Sequence, residues 1–191
     1  MHNAAENGNG NAQHNLGNIY YTGGDGVVQS ISEALKWWHK AAEQGIVFAY
    51  TNIASAYAEG WGIEKNEAEA VKWYSKAADL GDSIAQYKLA TAYAVGSGIE
   101  KDDDKSIHWY LKSAENGNDW AQYIVALMYK EGAGLSQDAS LAYMWLSLSA
   151  AQNNQAAINE QDSFKKSLTP EQLAESQRLS QELRAQHPKA A

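Results

Sequence analysis

Five histidines are the first residues whose chemistry could matter: His2, His14, His39, His108 and His187. No two of them sit one helical turn apart on one face, and none falls beside a carboxylate at a metal-ligand spacing, so they read as surface or partly packed side chains. Asp102-Asp103-Asp104 could hold a cation, but the run stands where a helix should begin. There the carboxylates complement the helix dipole and Asp102 can cap the free N–H groups. Gly-x-Gly pairs recur at regular intervals in turns, which makes them punctuation rather than a phosphate cradle. The chain has no cysteine, which removes thiol catalysis, disulfides and cysteine-held metal. No catalytic residue, metal ligand or cofactor site is expected.

What must position any functional side chain is a repeat. Trp37, Trp73, Trp109 and Trp145 are each 36 residues apart, and each precedes a bulky residue: Trp38, Tyr74, Tyr110, Leu146. Small pairs follow at Ala41-Ala42, Ala77-Ala78, Ser113-Ala114 and Ser149-Ala150. Upstream, Tyr20, Tyr57, Tyr93 and Tyr129 each lie three residues before a glycine. One extra residue in the first unit, within Gly23-Gly24-Asp25-Gly26, is a loop insertion. A fixed period of this length marks an array of supersecondary units stabilised by stacking.

Each unit predicts two helices. The first carries Ala, a branched residue and Tyr on one stripe, as in Ala49, Ile53 and Tyr57. A glycine pair ends it. The second opens at Ser30, Asn66, Asp102 and Asp138, with Glu33 and Glu69 expected to complete capping boxes, and closes on Gly45, Gly81, Gly117 and Asn153. The strict Trp column is expected to be core.

These columns resemble the Sel-one-like repeat family of the tetratricopeptide superfamily. The resemblance rests on AQHNLGNIYYTGGDGV…ALKWWHKAAEQG and on AQYKLATAYAVGSGIE…SIHWYLKSAENGN, with Ala54, Ala90 and Ala126 where the family has glycine. It implies an all-α fold, a right-handed α/α superhelical solenoid of about four helix–turn–helix repeats. The expected boundaries are a remnant of a preceding repeat at 1–9, repeats at 10–46, 47–82, 83–118 and 119–153, and a helical cap and tail at 154–191. Residues 2–8 match the closing turns of a second helix, and Met1 falls on the Trp38 column. The sequence therefore reads as starting inside a repeat, with an N-terminal stacking face open to self-association. In the tail, Ile158 and Phe164 are expected to pack on the last repeat, and Thr169-Pro170-Glu171-Gln172 starts a helix with Leu173, Leu179 and Leu183 inward. The LTPEQ tail resembles that of bacterial members.

The resemblance further implies a non-enzymatic adaptor that binds a protein or peptide through the concave surface. A net charge of −8 argues against a nucleic-acid partner, and no apolar run is long enough to insert into a membrane. Measured from the core Ala of each first helix, positions −1, +3 and +6 share the expected groove face. In the second repeat these are Phe48, Asn52 and Ser55; in the third, Ile84, Lys88 and Thr91; in the fourth, Trp120, Ile124 and Leu127. Phe48, Ile84 and Trp120 occupy a column that is usually polar in the family. For Trp120 and Leu127 the competing expectation is cover by the C-terminal helix, and Trp61 is a separate loop candidate. A regulatory or inhibitory module of a longer protein is the alternative; a hydrolase on the same frame would need a convergent nucleophile and base. The compartment stays open.

Overall fold

The helices follow the glycine and N-cap signals closely. The computed structural model describes residues 2–24 and 26–187. It contains α1 (His2–Glu6), α2 (Gly10–Thr22), α3 (Ile31–Glu43), α4 (Val47–Glu59), α5 (Glu67–Asp79), α6 (Ser83–Val95), α7 (Asp103–Glu115), α8 (Asp119–Glu131), α9 (Ala139–Ala151), α10 (Gln155–Lys165) and α11 (Pro170–Gln186). No strand occurs among the described residues. The expectations at Met1 and Asp25 lie outside them.

Ser30, Asn66, Asp102 and Asp138 cap α3, α5, α7 and α9, each side chain accepting the N–H three residues on. The capping boxes expected at Glu33 and Glu69 do not form. Each N-cap N–H is already taken by a carbonyl of the tyrosine column: Ser30 donates to Tyr20 at 2.8 Å and Asn66 to Tyr57 at 2.9 Å. The glutamates instead reach Lys36 at 2.6 Å and Lys72 at 2.5 Å. The same backbone bond recurs from Asp102 to Tyr93 and from Asp138 to Tyr129, so it is a feature of the repeat. It ties the end of each first helix to the start of its second.

Two glycines are dictated by close approach. A Cβ on Gly98, whose φ is +70°, would lie 2.3 Å from the Glu67 carbonyl oxygen, a backbone atom that cannot step aside. A Cβ on Gly17 would lie 2.5 Å from the Trp38 indole. Repeat 1 therefore keeps glycine in mid-helix to admit a tryptophan. The other repeats carry Ala54, Ala90 and Ala126 there, and their matching core residues, Tyr74, Tyr110 and Leu146, are not indoles.

The chain divides into two compact units, Met1–Ala85 with Val95–Lys101 and Gln86–Ala94 with Asp102–Ala191. In the first, Ala34, Trp38, Ala41, Ala49 and Ile53 form a core with Tyr20, Tyr57 and Trp61 packed against it. In the second, Tyr110, Val125, Met144, Trp145 and Leu146 are central, with Phe164, Leu179 and Leu183 added from the tail. The residue after each signature Trp is buried in every repeat: Trp38, Tyr74, Tyr110 and Leu146. The signature Trp itself is buried at Trp37 and Trp145 but only partly so at Trp73 and Trp109.

The tail forms as its signals require. Thr169 and Gln172 make a full capping box ahead of α11, with Pro170 in its first turn. Asn153 takes a φ of +65° after α9. Ile158 departs from expectation, remaining 40% exposed, because α10 packs through Ala157 and Phe164 instead.

Candidate functional site

Side chains at the −1 position of the first helices stand out from their surface. In the first unit Phe48 is 63% and Ile84 51% exposed; in the second Trp120 is 51% exposed. Trp120 keeps that exposure with α10 and α11 in place. The tail goes elsewhere: Leu179 and Leu183 join the core around Trp145, while Glu160 of α10 accepts from Tyr123 at 3.3 Å and pairs with Lys130. Ile124 is partly buried against that core, Leu127 is partly buried, and Lys88 is exposed. Trp61 is half-buried on the preceding repeat, its ring 5.1 Å from that of Tyr21.

The +6 position has a duty that the sequence pattern did not reveal. Buried aromatics with a polar tip need a partner, and this column supplies it. Trp38 Nε1 donates to Asn18 Oδ1 at 2.9 Å, Tyr74 and Ser55 hydroxyls lie 3.0 Å apart, and those of Tyr110 and Thr91 lie 3.1 Å apart. In repeat 4 both positions are leucine, Leu127 and Leu146. The signal was available: the column after the Trp and the column at +6 change polarity together. Burial raises the pKa of Tyr74 and Tyr110, the hydroxyl partners offsetting part of the shift.

Repeat 1 extends this contact into a network. Asn52 Nδ2 reaches Asn18 Oδ1 at 3.0 Å and His14 Nε2 at 3.2 Å, and Asn18 Nδ2 lies 3.4 Å from the same ring nitrogen. The His14 ring centre lies 6.0 Å from that of Phe48. Burial lowers the His14 pKa below 6.5, partly offset by a hydrogen bond with Asn15. His14 is thus part of the candidate face, a role its lone position in the sequence did not announce.

The remaining titratable groups are bound into local structure. Asp102 accepts the Lys105 N–H and pairs with its ammonium, both at 2.9 Å, which holds its pKa low. Contrary to the sequence reading, one histidine does lie against a carboxylate: His2 Nδ1 is 3.3 Å from Glu6 Oε1. His39 likewise has Glu43 as a charged neighbour, but no group of three metal-binding side chains occurs among the described residues. A Ser-x-x-Lys spacing falls at Ser163 and Lys166, where both are exposed and the serine hydroxyl donates to the Glu160 carbonyl at 2.9 Å. A cleft of 240 Å³ in the first unit is lined by His39, Glu43, Tyr50, Trp73 and Lys76, with no serine. One of 320 Å³ in the second holds Ser176, Ser180 and Arg184, with no histidine or carboxylate.

The Sel1 repeat model matches residues 10–46, 47–82, 83–118 and 121–154. The chain belongs to the Sel1 repeat family. Among solved Sel1-like structures, the protective antigen c5321 of uropathogenic Escherichia coli, described as having an SLR fold, is 31% identical with a TM-score of 0.81. The alignment covers 98% of this chain and 40% of that one. A Sel1 repeat protein from Oxalobacter formigenes is 34% identical with a TM-score of 0.70, covering 79% and 62% of the two chains. This chain thus spans less than two thirds of either relative. An immunity protein from Pseudomonas aeruginosa, Pa5087, shares the fold at 21% identity and a TM-score of 0.56, over 81% of this chain and 57% of that one. The search of curated proteins gave no match. The fold is the all-α repeat fold of the family, and the bacterial relatives agree with a bacterial origin. Sel1 repeat proteins are generally protein-interaction scaffolds.

Proposed function

We propose that this Sel1 repeat protein is a non-enzymatic adaptor that binds an extended protein segment along the outward faces of its first helices. The observation that carries the reading is the −1 column, where Phe48, Ile84 and Trp120 each stay at least half exposed. Large apolar side chains held half or more in water raise the free energy of the isolated protein's surface and mark interfaces. Phe48 and Ile84 belong to the first compact unit and Trp120 to the second, so each unit presents its own part of the column. Within the column's neighbourhood, Asn52, Lys88 and Ile124 are the proposed supporting contacts. Ser55 and Thr91 act mainly through the aromatic hydroxyls they satisfy. The boundaries 10–46, 47–82, 83–118 and 119–153, with the 154–191 tail as cap, describe the units that present this surface.

The test is capture from a lysate of the source organism with wild type, Phe48→Asp and Trp120→Ala, each shown folded by circular dichroism. A partner that the wild type retains and either variant loses supports the reading. Equal retention by all three places the site elsewhere and refutes it.

A further inference from the structure

The network in repeat 1 has one self-consistent polarity. An indole N–H donates and offers no acceptor, and Trp38 is only 2% exposed. Its bond to Asn18 Oδ1 fixes that amide, so Asn18 Nδ2 points at His14 Nε2. Asn52 Nδ2 lies between the same Oδ1 and the same Nε2. Turning Asn18 over would set its nitrogen against the indole N–H; turning Asn52 over would set two carbonyl oxygens together. Both amides are therefore donors toward the ring, Nε2 is the acceptor, and the ring proton lies on Nδ1. Asn15 adds a side-chain hydrogen bond to the ring. Asn52 Nδ2 thus bridges Asn18 Oδ1 and the ring, and the same ring lies 6.0 Å, centre to centre, from Phe48.

The equivalent contacts in repeats 2 and 3 are hydroxyl pairs and impose no tautomer; in repeat 3 the Thr91 hydroxyl donates to the Tyr87 carbonyl at 3.0 Å and accepts from Tyr110. No charge compensates at the ring either. His2 and Glu6 of α1 face one another, Glu33 and Lys36 of α3 are paired, and Lys40 lies over Trp37. Neither these groups nor Glu59 of α4 bears on His14, whose neighbours are Asn15, Asn18, Asn52 and Phe48.

We propose that His14 is an acid-sensitive latch. Neutral, it ties α2 to α4 and holds Phe48 in place for a protein segment that lays an apolar side chain on it; protonated, it opposes both amide donors and releases that segment. The proposal rests on the reading that Phe48 contacts a partner. Burial acts in the same direction, holding the ring neutral below 6.5. Between that lowered value and 6.5 the unfolded chain binds more protons than the folded one. The stability tied to His14 is therefore whole above about 6.5 and falls as pH drops toward the folded value.

Side-chain 1H–15N correlation spectra of the full chain across the histidine range test the latch without a partner. Expected are the Nδ1–H tautomer for His14, a midpoint below 6.5, and a Trp38 indole resonance that moves with the same midpoint. Trp38→Phe and, should that variant unfold, Asn52→Ala remove a group that sets the polarity, and the His14 midpoint should shift upward. An Nε2–H tautomer, a midpoint at or above 6.5, or an indole resonance indifferent to His14 overturns the latch. Any partner captured at about pH 7.5 is then challenged at about pH 5, a range in which histidine changes charge. Loss on acidification in the wild type and retention by His14→Gln support release. Retention by the wild type overturns release, and a latch that titrates as expected in a protein capturing nothing overturns the docking reading instead.

Discussion

Repeat 1 closes around an indole and repeat 4 around a leucine, and the helices holding them differ to match. Trp38 needs Gly17 to make room and Asn18 to accept its N–H. Leu146 lies opposite a different set, with Ala126 in mid-helix and Leu127 in the place of Asn18. Three columns, two on the first helix and one on the second, therefore vary together. The lesson concerns binding as much as packing. Where the core residue carries a polar tip, the +6 side chain is committed inward; where the core residue is apolar, that side chain is released from the duty. Thr91 and Leu127 occupy the same register with different obligations.

Transplanting one residue of repeat 1 into repeat 4 should break the matching most severely. Leu146→Trp forces an indole against Ala126, costing about 1–3 kcal/mol of overpacking. Its buried N–H finds Leu127 rather than an acceptor, for a further ~1–3 kcal/mol. Urea unfolding should show the sum as a lower midpoint. Adding Ala126→Gly and Leu127→Asn should recover a substantial part, although both changes are unfavourable alone. Strict additivity of the three substitutions would show that the columns are independent and that the comparison is mistaken.

The reciprocal change sharpens the same point with a smaller effect. Gly17→Ala places a methyl 2.5 Å from the indole, which should cost about 1–3 kcal/mol despite the better helix propensity of alanine. Ala126→Gly, where no indole presses, should cost only the ~1 kcal/mol of propensity. Thermal unfolding of the pair separates a steric demand from a helix preference.

Much of this architecture was legible in the residues because the repeat displays each column four times. The N-caps, the glycine turns and the capping box at Thr169 depend on backbone chemistry within a few residues, and they stand where their signals place them. Failures came where two local demands competed. Glu33 and Glu69 had the capping-box spacing, but a tyrosine carbonyl some ten residues earlier in the chain had claimed the N–H. Ile158 fell on a plausible face of α10, yet packing chose Ala157 and Phe164. The candidate face was partly legible: its exposed −1 column follows from helical geometry alone. His14 was not, because its partners come from α2 and α4 and its significance arises from hydrogen-bond direction, which no spacing encodes.

Removing the tyrosine hydroxyls tests the intermediate repeats. Tyr74→Phe and Tyr110→Phe each delete one bond, to Ser55 and Thr91 respectively, and leave a partly exposed hydroxyl, which in Thr91 keeps its bond to the Tyr87 carbonyl. The expected cost is about 0.5–1.5 kcal/mol each, with no dependence on the pH range in which His14 titrates. A pH-dependent loss would mean that a group titrating in that range is coupled to the hydroxyl pairs.

A small effect on stability is expected where the proposed effect on function is greatest. Phe48, Ile84 and Trp120 each keep half or more of their surface in water, so truncation to alanine removes only the covered half or less of each side chain. The expected cost is about 0.5–1.5 kcal/mol, at the low end of the usual range for single substitutions. Small shifts of the unfolding curves with loss of a captured partner are the signature of side chains retained for an external contact. Trp120→Ala separates the possibilities most cleanly, since α10 and α11 direct their packing to Tyr123, Lys130 and the Trp145 core. A loss of ~2 kcal/mol or more there would place the indole among the side chains that hold the fold, and the fourth repeat would then present Ile124 and Leu127 without an aromatic anchor.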